Sequence, residues 1–140
     1  MSDAPTPSDY LLDVIFMALD HGIDSIDGGA GPLVPFSITD KDGERSLTRH
    51  VAERLEEGVE QARLAASQAC AEGLIAAIAY DGFLTADGKR MDAIFVQAAD
   101  SASGPTFFFA QKYKLIKNGK KVEPIGNAAY VHFDEGLFPG

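Results

Sequence analysis

Apolar residues crowd positions 10–21 almost all round: Leu11, Leu12, Val14, Ile15, Phe16, Met17 and Leu19 are broken only at helical spacing, by Asp9, Asp13 and Asp20. Pro7 followed by Ser8 or Asp9 supplies an N-terminal cap, so the pattern predicts a helix over 10–21 with one narrow polar stripe. A surface helix needs a single apolar face, so this one is expected to be covered on more than one side. A second helical rhythm runs from Thr48 to Ala71. Val51, Leu55, Val59, Ala62, Ala66 and Ala69 recur every three or four residues, while Glu53, Arg54, Glu56, Glu57, Glu60 and Arg63 lie mostly off the stripe. Its alanines predict close approach to a sheet, and Gly73 suits the position just past the helix end.

The remaining rhythm is that of strands and turns. KDGE at 41–44, ADGK at 86–89 and KNGK at 117–120 repeat one motif between apolar runs. Asp-Gly or Asn-Gly in that setting marks a hairpin, because the turn needs positive φ where these residues tolerate it. Three hairpins follow: 33–40 with 44–48, 74–85 with 89–98, and 106–116 with 120–132. The expected architecture is α+β, two helices on a mainly antiparallel sheet of about six strands, in the order α-ββ-α-ββ-ββ. Pro124 and Gly126-Asn127 interrupt the last strand, so it is an edge or bulged strand whose pairing restarts after Asn127.

The central hairpin leaves its register open, and the register decides whether two aspartates meet. With a two-residue turn at Asp87-Gly88, Asp81 faces Ile94 and Phe83 faces Asp92. The two carboxylates are then diagonal neighbours on one face, about 7–8 Å apart at Cα. With a three-residue loop and a bulge at Gly88, Asp81 faces Ala93 and the carboxylates point to opposite faces. The second register gathers Ile78, Tyr80, Ile94 and Val96 together and is the one the apolar pattern favours. Phe107 and Phe109 alternate with Phe108 across the sheet. With LIAAIAY at 74–80, they predict a sheet apolar on both faces. One face takes the two helices and the other needs a cover, by a second subunit or around a small-molecule pocket.

Composition adds limits. A chain of 140 residues, 46% hydrophobic and 24% charged, matches ordinary globular proteins that need no staple. It reads as one domain, 1–140, with 1–8 a flexible lead. Cys70 stands alone, which excludes an intramolecular disulfide. The N-terminus is acidic where a signal peptide would be basic, and its apolar run is far short of the roughly 20 residues of a membrane span. The expectation is a cytoplasmic protein with no membrane contact. Twelve basic against 21 acidic residues, net −9, argue against nucleic acid, whose affinity rests on Lys and Arg at phosphates.

Candidate chemistry is sparse. Asp81 and Asp92, with Lys112, are the catalytic candidates; Tyr80, Gln111, Asn127 and Tyr130 are the ligand-binding candidates, the last two beside the interrupted strand. Acidic residues on adjacent strands near a lysine also occur in metal-dependent nucleases of the restriction-endonuclease type. Gln97 and Gln111 stand here where a carboxylate would be wanted. His21, His50 and His132 are scattered without metal-ligand spacing, so no metal and no cofactor is expected. The glycines at 28–31 come after a helix and before a strand, the reverse of a phosphate-cradling loop.

The helix–hairpin–helix–hairpin order resembles small α+β modules of the profilin-like or roadblock-like kind. That resemblance implies dimerisation and protein interaction; this chain closes on a hairpin where a final helix often stands. The leading expectation is a non-catalytic domain that forms a homodimer and binds a basic protein partner, as an immunity-type or antitoxin-like inhibitor does. The alternative is a small enzyme or ligand-binding protein with a pocket on the sheet beside Asp81 or Asp92.

Overall fold

In the computed structural model, which describes residues 5–27 and 32–139, Ser8 opens the first helix by accepting the Leu11 N–H on its Oγ at 3.1 Å. Helix α1 (Asp9–Ile26) runs beyond the expected end at His21, because Ile23 and Ile26 carry the Leu19 face onward. Gly22 permits this: a Cβ there would lie 2.9 Å from Ile94 Cγ2, so the glycine lets α1 settle against the sheet. Strands β1 (Phe36–Lys41) and β2 (Glu44–Arg49) form the first hairpin. Because β2 keeps residues 48 and 49, α2 (Leu55–Ala71) starts later than the spacing suggested, and Val51 lies outside it, 76% exposed. Gly73, at φ 88°, follows the end of α2, and Leu74 N–H returns to Ala69 O at 2.9 Å.

The sheet continues with β3 (Ile75–Ala86), β4 (Lys89–Ala99), β5 (Thr106–Ile116), β6 (Lys121–Pro124) and β7 (Ala129–Asp134). Its order is β2-β1-β3-β4-β5-β6, entirely antiparallel, with β7 also paired to β5. The expected sixth strand is thus two strands along one edge of β5, making seven, and pairing does restart after Asn127. Residues 28–31, with their glycines, lie outside the described residues.

The central hairpin takes the register that the apolar pattern disfavoured. Ala86 pairs with Lys89, Asp81 with Ile94 and Phe83 with Asp92. The turn decides this: Asp87 and Gly88 both have positive φ, 52° and 74°, the geometry of a tight two-residue loop. Ile78 and Tyr80 are therefore on the opposite face from Ile94 and Val96, and the two aspartates share a face.

A second correction concerns the layers. Ala77, Ala79, Ile94, Val96, Phe107 and Phe109 pack with α1. Their alternates Ala76, Ile78 and Ala99 pack with Ala62, Ala66 and Cys70 of α2. The helices thus cover opposite faces, which is what a sheet apolar on both sides needs. The C-terminal segment completes the α2 layer: Phe138 N–H donates to Thr106 Oγ1, and that hydroxyl donates to Gly136 O, both at 2.8 Å. Both sheet edges are guarded. Strand β2 is exposed throughout and carries Glu44, Arg45 and Arg49, while β7 has a register shift opposite Phe108/Phe109 that leaves Val131 unpaired. Among the described residues no helix is long and apolar enough to cross a membrane.

Candidate functional site

The register brings Asp81 and Asp92 to one face, yet their surroundings separate them. Asp81 is half-buried, and its carboxylate accepts the Tyr113 hydroxyl at 2.8 and 3.0 Å. Burial raises its pKa; hydrogen bonds from Tyr113 and from the Leu33 backbone N–H oppose that, and the charge of Asp92 adds to it. Burial also raises the Tyr113 hydroxyl, with Asp81 adding to the effect. Asp92 is exposed. Lys112 pairs with Ala93, so it projects from the other face and cannot join these carboxylates. Tyr80 is on that other face too, accepting a hydrogen bond from Gln97 Nε2 at 2.8 Å and stacking on Phe95. The expected constellation is thus divided by the sheet, and Asp81 already has a partner.

The remaining candidates converge elsewhere. Gln111 is 9% exposed on the α1 face, and its Nε2 donates to Lys112 O at 2.9 Å, Ile125 O at 3.3 Å and Gly126 O at 3.2 Å. It therefore ties down the break between β6 and β7. A cavity of about 250 Å³ lies between that break and α1. Leu19, Ile23 and Phe16 line one wall, Pro124 and Ala128 the other, and Gln111 also borders it. Asp20 and Asp24 complete the lining, and among the described residues no Lys or Arg takes part. At one end Phe16 is 43% exposed and meets Phe109 edge-on, and Phe109 stacks on Tyr130, itself 42% exposed. Asn127 is exposed beside Ala128. Gln111 thus lines the groove and Tyr130 reaches its Phe16 end through Phe109, while Asn127 stands in the adjoining break, outside the lining. The α1 residues Phe16, Asp20 and Asp24 escaped the sequence reading as site residues; their i, i+4, i+8 spacing was the available signal.

Other polar clusters are occupied with structure. Asp40, 2% exposed, accepts from Tyr10 Oη at 2.9 Å, Arg45 Nε at 2.6 Å and Gly43 N–H at 3.1 Å. Burial pushes its pKa up, but these donors outweigh it and hold the carboxyl below its usual range. This knot fastens the first hairpin to the start of α1. Ser37 Oγ and His50 Nε2 are 2.8 Å apart, in the manner of a nucleophile and its base. Ser37 is 3% exposed, so no substrate reaches it, and burial lowers the His50 pKa. Cys70 is buried, and that burial pushes its thiol up to about 11, far from a thiolate nucleophile. Among the described residues no group of three His, Cys, Asp or Glu is arranged to hold a metal.

Comparison with protein-family models, with curated proteins and with solved structures finds no significant match to this chain, so the reading of the groove stands on its own geometry.

Proposed function

We propose that this is a non-catalytic cytoplasmic binding domain, and that the groove between α1 and the β6–β7 break receives a basic, partly apolar segment of a protein partner. The carrying observation is the groove itself: apolar walls, an exposed Phe16, and Asp20 and Asp24 with no cation in the lining. Apolar anchors supply affinity in such a contact, and rim charges supply orientation and partner choice. Asp13 extends the acidic line along the exposed side of α1, and the net charge of −9 favours encounter with a basic partner. Against an enzyme, the catalytic candidates are split between two faces and Asp81 is engaged by Tyr113.

The apolar face expected to need a cover is the face on which α2 packs, over β1 and β3. Helix α2 covers the β1 and β3 part of that face, so burial of the sheet there needs no second subunit.

The protein has no tryptophan, so binding is read from a labelled probe. A fluorescein-labelled peptide of alternating Lys and Val is expected to gain anisotropy on titration with the protein, and a Glu-Val peptide is not. The double substitution Asp20→Asn/Asp24→Asn is expected to weaken binding about tenfold. Equal binding of both peptides, or an unaffected double variant, contradicts the proposal.

A further inference from the structure

The basic residues are unevenly spread. The turns of the β3–β4 and β5–β6 hairpins lie at one end of the sheet, because β4 and β5 are antiparallel neighbours. That end carries Lys89, Arg90, Lys114, Lys117, Lys120 and Lys121, all exposed, against Asp87, Asp92 and Glu123. Among the described residues only Lys114 of these cations has an ion-pair partner, Glu123 at 3.3 Å. Phe83 and Leu115 stand among them, 51% and 52% exposed, with the Arg90 guanidinium 3.6 Å over the Phe83 ring. Alternation along β3 and β5 puts Phe83 and Leu115 on the same face as Asp81, Gln111 and the groove. This chain thus carries a basic, partly apolar end as well as an acidic, partly apolar groove.

We infer that the hairpin end of a second copy of this chain occupies the groove, its lysines meeting Asp13, Asp20 and Asp24 and its apolar side chains meeting Phe16. The inference rests on the reading of the groove as a receptor for basic segments and names one such segment. Asp27 at the end of α1 accepts Val122 N–H on its Oδ1 at 2.9 Å, so the acidic helix runs up to the hairpin end on the same side of the molecule. Groove and hairpin end thus lie on one side of the molecule, as their exchange between two copies about a two-fold axis requires, each giving and receiving. Overall repulsion between chains of net charge −9 keeps this association weak and dependent on the opposed patches.

Analytical ultracentrifugation over a concentration series tests this with the full chain and two surface variants. One is Asp20→Asn/Asp24→Asn, the other Lys117→Gln/Lys120→Gln. The wild type is expected to approach dimer mass at low salt and to return to monomer near 1 M salt, where the Debye length falls to roughly 3 Å. Each variant alone is expected to associate about tenfold more weakly, in line with the loss of two exposed ion pairs at each of the two symmetric contacts. An equimolar mixture of the two is expected to associate more tightly than either, because one variant keeps its hairpin end and the other its groove. A wild type that stays monomeric, a dimer strengthened by salt, or a mixture no tighter than its components overturns the inference. If the Lys-Val peptide still binds in that case, the groove reading survives and only its occupant was misassigned; if the peptide also fails, both fall.

Discussion

At the residue scale the pair Asp81 and Tyr113 changes the meaning of a carboxylate that sequence alone made a catalytic candidate. The Tyr113 hydroxyl favours the charged carboxylate while burial opposes it, and burial prevails. With a raised folded-state pKa, the folded chain binds this proton more tightly than the unfolded chain. The resulting stability is fully present below the unfolded value of about 4 and is lost as pH rises through the folded value. Asp81→Asn keeps an acceptor for the hydroxyl and removes the titration. Its stability relative to wild type is therefore expected to improve as pH rises from 4 to 7, as measured by urea unfolding. A difference independent of pH would contradict the assignment. Tyr113→Phe is expected to cost about 1 kcal/mol and to raise the Asp81 pKa further, a shift read by carboxyl NMR titration. Sequence could propose Asp81 but could not show its partner, 32 positions away on a strand that is not its neighbour.

At the element scale, what was legible and what was not divide along physical lines. The three turn motifs, the Ser8 cap and the break at Pro124–Asn127 all act locally, and each is where the chain pattern put it. The register of the central hairpin was not legible. It hung on whether Asp87 adopts positive φ, and the apolar pairing pointed to the other register. Nor could helix faces be assigned, because strands apolar on both sides say nothing about which helix goes where. Contact between α2 and the loop before it was equally hidden. A Cβ on Gly58 would sit 2.5 Å from the His50 carbonyl oxygen, a backbone atom that cannot swing aside. Gly58→Ala is therefore expected to destabilise by about 1–3 kcal/mol, overriding the gain of roughly 1 kcal/mol that alanine offers inside a helix. The check is a lower urea midpoint at unchanged slope; a midpoint equal to or above wild type would show that α2 is not seated so closely.

At the scale of the whole molecule, two buried layers, two guarded edges and an uneven distribution of charge leave, between α1 and the β6–β7 break, a concave surface that joins apolar walls to two carboxylates. It was half visible in advance. Asn127 and Tyr130 were marked by the interrupted strand and Gln111 by the sheet face near Asp81 and Asp92, whereas the opposing wall of α1 becomes part of a site only when the chain folds back over β5. The claim that this groove is the working surface is tested most directly by amide chemical shifts of the labelled protein during titration with the Lys-Val peptide. The account predicts saturable, salt-sensitive shifts confined to α1 from Asp13 to Asp24, to Gln111 and to residues 124–130. Shifts centred instead on α2 or on the β2 edge, or none at all, would contradict it.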